Sequence, residues 1–125
     1  MKSLLAAAIA AVALAPAAYA DCSYPPAPSN LPDGSTATLK EMLAGMQQVS
    51  TYNKAMTAYL SCIKLERDSR VAAAGATLTK QQKQELEAIE IQKNNAAVDQ
   101  LHAVADRFNA QVKIYKARDK KSDSN

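Results

Sequence analysis

Proline is confined to one end of this chain, and this distribution limits the fold more than any other feature. All five prolines lie at or before Pro32, and four of them fall between Cys22 and Gly34. Proline has no backbone N–H to donate, so a proline-rich segment is unsuited to a helix interior or a central strand. Regular secondary structure is therefore expected only after Gly34.

Downstream of the prolines, apolar residues recur at helical spacing in two long stretches. In the first stretch they alternate by three and four positions, like the a and d positions of a heptad: Leu39, Met42, Met46, Val49, Met56, Leu60 and Ile63. The second stretch has a similar spacing: Leu86, Ile89, Ala97, Leu101, Val104, Phe108, Val112 and Tyr115. Thr38 and Thr79 each precede a Glu or Gln by three residues, which is typical of a capping box. The pattern predicts an all-α fold.

The short link between the two stretches, from Gly75 to Thr79, predicts that the helices are antiparallel neighbours. In that pairing Phe108 falls level with Gly45, whose missing side chain leaves room for the ring. Arg67 and Lys64 then fall beside glutamates of the second helix. We expect the helical hairpin to cover residues 36–118, with the second helix ending near Lys116 and a polar, disordered tail over 119–125.

The first twenty residues have the features of an export signal. Lys2 is followed by an apolar run from Leu4 to Leu14, and residues 18–20 form the small-x-small pattern that signal peptidase needs. The apolar run is too short to span a bilayer. We expect cleavage after Ala20 and a mature protein in the periplasm or outside the cell. Asp21, immediately before Cys22, argues against a lipoprotein.

Cys22 and Cys62 are the two cysteines of the chain, and in an oxidising compartment such a pair is most simply one disulfide. The alternative is a redox or metal-binding pair, although the chain has no Cys-x-x-Cys motif. A disulfide would hold residues 21–35, the proline-rich strip, against the first helix. In polyproline II geometry the strip and the helix segment between its ends have similar lengths, about 43 and 39 Å.

The strip is expected to dock on a stripe of the first helix that flanks the predicted a and d seam. That stripe contains the g positions of the heptad, two of which are tyrosines, and the partner cysteine. Because polyproline II has three residues per turn, every third residue of the strip faces the helix. The predicted docking residues are Pro25, Pro28, Leu31, Tyr52 and Tyr59.

Several short motifs together resemble a group of small exported proteins of proteobacteria. They are Cys22-x-Tyr-Pro, Leu31-Pro-Asp-Gly, Tyr59-Leu-x-Cys62, Asn95-Ala-Ala-Val-Asp and Phe108-Asn-x-Gln-Val. The resemblance covers most of the mature chain. It implies an exported location and a similar fold, and it assigns no activity and no functional residues.

Two sets of side chains are candidate metal ligands. Asp99, His102 and Asp106 share one face of the second helix at a spacing that metals use. That face points away from the predicted seam, so a solvated polar face is the preferred interpretation. Three methionines could select Cu(I), but they occupy predicted core positions and are better explained by packing: Met42, Met46 and Met56.

The sequence contains no recognisable catalytic constellation, and its net charge of +3 is too small to indicate nucleic-acid binding. The basic C-terminal end could contact a membrane surface or an acidic partner, although cations are also favoured at any helix C-terminus. The leading hypothesis is a non-enzymatic exported interaction or structural protein without a cofactor, acting on an unidentified protein partner. The alternative is a small periplasmic protein that handles a metal or another ligand.

Three apolar residues of the second helix lie off the predicted seam: Ile91, Val98 and Ile114. A two-helix protein of this size buries little apolar surface by itself. We therefore predict that the mature protein forms a homodimer packed as a four-helix bundle.

Overall fold

The computed structural model describes residues 22–122; the predicted signal peptide and the last three residues lie outside this range. Two long helices, α1 (Leu39–Ala74) and α2 (Lys80–Ser122), are joined by a 3-10 turn over Gly75–Thr77. They pack against each other along their lengths, and no strand occurs among the described residues. Residues 22–33 are extended and lie against this pair of helices. The predicted all-α hairpin, with a strip joined to α1 by a disulfide, is confirmed.

The helix boundaries follow local hydrogen bonding. Thr38 caps α1 through a capping box in which its hydroxyl accepts from the Glu41 N–H and the Glu41 carboxylate accepts from the Thr38 N–H. Thr79 and Gln82 form the equivalent reciprocal pair before α2. Gly75 ends α1 with a φ of +52°, a left-handed conformation that glycine adopts without strain.

The C-terminal end of α2 differs from the prediction. The helix continues to Ser122, so residues 119–122, expected in a disordered tail, are helical. The last turn carries Lys120 and Lys121, which interact favourably with the helix dipole. The Arg118 guanidinium also donates to the Ala37 carbonyl, and this contact fixes the end of α2 to the start of α1.

The buried side of α1 is rotated relative to the predicted seam. Its buried residues occupy the d and g positions of the heptad rather than a and d: Met42, Gly45, Tyr52, Met56, Tyr59 and Ile63. The predicted core residues Leu39 and Met46, both at a positions, are more than half exposed. The reason is that the strip covers the g side of α1, whereas nothing within the described residues covers the a side.

The buried residues of α2 are Ala97, Val104 and Phe108, as the second periodic stretch predicts. Ile89, expected in the same seam, is 50% exposed. It lies on the side of α2 that faces the strip, but beyond Cys22, where the strip no longer covers it. Arg67 pairs with Glu90 at 2.9 Å as predicted, whereas Lys64 pairs within α1, with Asp68 at 3.0 Å.

The strip, α1 and α2 meet at Gly45. A Cβ atom at this position would lie 2.5 Å from Cδ of Pro32 and 2.9 Å from Cε2 of Phe108. The predicted pairing of Gly45 with the Phe108 ring is therefore confirmed, and the strip joins the same contact through Pro32. This close approach fixes the register of the two helices.

We predict that Gly45→Ala destabilises the protein. Alanine is the better helix former by up to about 1 kcal/mol, but the added methyl must displace Pro32 or Phe108, and overpacking costs about 1–3 kcal/mol. Urea unfolding should show a net loss of stability, whereas the exposed control Ser69→Ala should change the unfolding free energy by less than about 0.5 kcal/mol. An equally stable or more stable Gly45→Ala protein would mean that the three elements do not meet there.

Candidate functional site

The Cys22–Cys62 disulfide joins the start of the strip to the middle of α1, with a Cα–Cα distance of 5.7 Å. It closes a loop that includes the whole strip and the N-terminal two-thirds of α1. In the chain-entropy model a loop of this length stabilises the folded state by about 4 kcal/mol. The described residues contain no free cysteine, so the structure supports the disulfide rather than a redox or metal-binding pair.

The predicted docking residues are all at least partly buried. Tyr52 and Tyr59 are buried, and Pro25, Pro28 and Leu31 are half-buried. Tyr59 packs against Tyr24, a strip residue outside the predicted docking set: the two rings meet edge to face with centroids 5.0 Å apart. The half-buried strip residues Cys22 and Ala27 contact the same core cluster.

The strip also binds α2, which the sequence analysis missed. Arg107 donates to the Pro28 carbonyl at 2.9 Å, and the Gly34 N–H donates to Oε1 of Gln111 at 2.9 Å. Gly34 approaches α2 so closely that a Cβ atom would lie 2.0 Å from the Gln111 carbonyl oxygen. The strip therefore occupies the groove between the helices, and we call this side the strip face. Arg107, Gln111 and Arg118 share one side of α2, a pattern that could have indicated the contact.

Where the strip ends, charged side chains cover the continuation of the groove. Ile63 of α1 and Leu86 of α2 contribute apolar surface there. Over it lie two ion pairs: Arg67 with Glu90, between the helices, and Arg70 with Glu66, within α1. The Glu66 and Glu90 side chains are each less than one-fifth exposed, so the protein's own charged residues cover part of this end of the strip face, while Ile89 stays half exposed.

Tyr52 carries the one buried side-chain polar atom that lacks a hydrogen-bond partner among the described residues, its hydroxyl oxygen. The residue is only 4% exposed. Burial, with the neighbouring Tyr24 as a second cause, raises the pKa of Tyr52, and burial is also the main cause of the raised pKa of Tyr59. Loss of either phenol proton is therefore less favourable in the folded protein than in an unfolded chain.

The candidate metal ligands do not form a site. Asp99, His102 and Asp106 are all exposed on α2. Within residues 22–122 no group of three or more His, Cys, Asp or Glu side chains is arranged to hold a metal ion. The methionines also differ in burial: Met42 and Met56 are buried, whereas Met46 is more than half exposed, so its predicted core position is wrong.

The side of the hairpin opposite the strip is apolar and uncovered; we call it the back face. At about 100° per residue, Met46 lies about 160° around α1 from Cys62, and Ile91 lies about 160° around α2 from Arg107. Four large apolar residues on this side are more than half exposed: Leu39, Leu43, Met46 and Ile91. Between the helices, half-buried apolar residues continue the same surface: Val49, Leu60, Val98, Leu101, Ala105 and Val112.

No protein-family model, curated protein or solved structure matches this chain. Within the part of the chain that the structure describes, no helix is long and apolar enough to cross a membrane. The strip face and the back face therefore have to be interpreted from their own chemistry.

We predict that reduction releases part of the strip and leaves the hairpin helical. Without the disulfide, residues 22–29 are held by the Arg107 hydrogen bond to Pro28, by the ring contact of Tyr24 with Tyr59 and by partial apolar burial. Residues 31–37 keep three further contacts. Pro32 packs against Gly45, the Gly34 N–H donates to Gln111, and the Ala37 carbonyl accepts from Arg118. Proteolysis of the Cys22→Ser/Cys62→Ser double variant should therefore cut near Tyr24 and spare the turn at Asp33.

Circular dichroism of that double variant should retain most of the helical signal, because the contacts between α1 and α2 are unchanged. Arg107→Ala added to the double variant should increase cleavage further. Equal protease resistance with and without the disulfide would show that the strip is held by other contacts.

We predict that Tyr52→Phe leaves the protein as stable or stabilises it by up to about 1 kcal/mol, because it removes a buried hydroxyl without a partner. Above pH 10.0, the unperturbed tyrosine pKa, an unfolded chain loses phenol protons that the folded chain retains. Stability should then fall as the pH rises above this value. Tyr52→Phe should make this loss of unfolding free energy smaller when it is measured by denaturant titration at each pH. The control Tyr115→Phe should leave the loss unchanged.

Proposed function

We propose that this protein is exported and acts as a non-enzymatic interaction or structural protein that presents its back face to a protein partner. The observation that carries the proposal is the row of large apolar side chains left exposed on one side of the hairpin. The other side is covered by the chain's own strip. Contiguous apolar surface of this kind on a soluble protein is characteristic of a protein–protein interaction site.

The strip supports this role by making the hairpin rigid. A pair of helices with a single shared seam is marginally stable. The strip adds buried tyrosines, a disulfide and hydrogen bonds to both helices. The back face is therefore presented on a preorganised surface, and preorganisation lowers the conformational entropy lost on binding.

Export is supported by the disulfide, because such bonds persist in oxidising compartments. The N-terminal sequence pattern adds cleavage after Ala20 and a periplasmic or secreted location to this proposal. A polypeptide partner is preferred over a membrane surface because the exposed apolar residues extend along both helices to Ile91, well away from the basic C-terminal end.

The test places a photo-crosslinking amino acid at Met46 in the cell that makes the protein. The control places it at Ala55, which is exposed and lies about 180° around α1 from Met46. We expect discrete polypeptide adducts from Met46 and none from Ala55. The N-terminus of the protein recovered after fractionation should be Asp21. Adducts from neither position, or equal adducts from both, would refute the interaction role.

A further inference from the structure

We propose that the partner is a second copy of this chain, and that two back faces pack antiparallel into a four-helix bundle. This inference rests on the interaction role proposed above and adds the identity and register of the partner. In a two-fold symmetric interface each residue i that contacts residue j is matched by j contacting i. The back face must therefore be complementary to itself: each residue needs a suitable partner at the position that the two-fold axis places opposite it.

The back-face side of α2 has a symmetric pattern about the point between Leu101 and His102. Its residues follow one another at three- and four-residue steps in both directions from that point: Glu87, Ile91, Asn94, Val98, Ala105, Asn109, Val112 and Lys116. If a two-fold axis passes through the midpoint, α2 lies antiparallel to α2 of the other copy. Positions equally far from the midpoint then face each other.

This symmetry pairs residues of like character. Ile91 faces Val112 of the second copy, and Val98 faces Ala105 in the same way. Asn94 and Asn109, both amides, are also placed opposite each other. The apolar residues, one of which is more than half exposed in the single chain, would thereby lose their contact with water.

The charges at the two ends of the stripe are complementary in this arrangement. Glu87 faces Lys116 of the second copy, and the symmetry produces this pair twice. Both side chains are exposed in the single chain. One turn further from the two-fold axis, Lys83 of one copy lies almost opposite Asp119 of the other. Opposite charges across an interface set its orientation and suppress wrong registers.

The same two-fold axis also places α1 of one copy against α1 of the other, with residues of similar polarity facing each other at most positions. Because Gly45 lies level with Phe108, the midpoint of α2 lies level with the peptide between Thr51 and Tyr52. About that point, Leu43 faces Leu60 of the second copy. Met46 faces Thr57, and the polar Ser50 and Asn53 face each other. The same two-fold rotation thus covers Leu43, Met46 and Ile91, which no other residue in the range 22–122 covers in the single chain.

Net charge favours the antiparallel arrangement over a parallel one. The segment from Lys113 to Ser122 contains five basic residues and one acidic residue. Parallel packing would bring two such segments together at one end of the bundle, whereas antiparallel packing separates them by most of its length. From Glu87 to Lys116 the shared face is about 44 Å long, and it is two helices wide. It is thus comparable with the roughly 800 Å² per partner of stable protein interfaces.

The first test is sedimentation equilibrium of the mature, oxidised protein with two matched variants. Ile91→Glu places a charge in the proposed interface. Ile114→Glu makes the same change on the same helix, outside the back face. We expect a dimer whose Kd is raised by about tenfold or more by Ile91→Glu, since each 1.4 kcal/mol corresponds to tenfold, and is unchanged by Ile114→Glu. Circular dichroism should show that both variants remain folded.

The second test is a charge exchange that reports the register. Glu87→Lys and Lys116→Glu should each weaken the dimer, because each creates two like-charge contacts. The double variant should recover affinity close to that of the original protein. Glu85→Lys and Lys93→Glu, which change charge outside the back face, should have little effect.

A monomer at high concentration, or equal effects of Ile91→Glu and Ile114→Glu, would overturn self-association. Loss of affinity in both single charge variants without recovery in the double variant would overturn the antiparallel register. Binding to anionic lipid vesicles that Ile91→Glu abolishes would assign the back face to a membrane and overturn the proposal. A monomer whose Met46 still captures another polypeptide in cells would refute self-association alone, leaving the interaction role intact.

Discussion

The contact at Gly45 determines how the other parts of this protein are arranged. Pro32 of the strip and the Phe108 ring of α2 both approach α1 at a position where no side chain larger than hydrogen fits. The contact fixes the register of the helices and seats the strip between them. From this point the strip reaches Cys62 in one direction, while the turn at Asp33 leads into the capped start of α1 in the other. If the register of the two helices shifted, neither the strip nor the turn at Asp33 would lie opposite its hydrogen-bond partners on α2.

The strip makes the hairpin unequal on its two sides. On one side it covers two tyrosines, donates to and accepts from α2, and ends in a disulfide that keeps it in place. On the other side the helices have no such cover, and the apolar residues in the groove remain half-buried or exposed. The fold thus combines a rigid, self-covered side with an apolar side that is available for contact. The proposed interaction role follows from this asymmetry rather than from any single reactive group.

The proposed dimer would relieve the same asymmetry. A second hairpin in the antiparallel arrangement does for the back face what the strip does for the other side, since it removes apolar side chains from water. The strip is anchored covalently, because an extended segment with few hydrogen bonds holds only weakly by itself. Two helices matched over a long apolar stripe have more surface to bury, and a non-covalent association is then sufficient.

The starts of both helices, the end of α1, the hairpin connection and the disulfide could be predicted from the sequence because they depend on local or covalent chemistry. Thr38, Thr79 and Gly75 act on their immediate neighbours, and the cysteines formed the only available intrachain pair. Tyr52 and Tyr59 were recognisable as docking residues because aromatic side chains beside Cys62 are unusual on a solvated helix face. What the sequence could not determine was the rotation of α1. The a, d and g positions each carry apolar residues at several turns, and only the seating of the strip against Arg107 and Gln111 of α2 decides which of them are buried. Burial is a property of what lies opposite a residue, and that is set by tertiary structure.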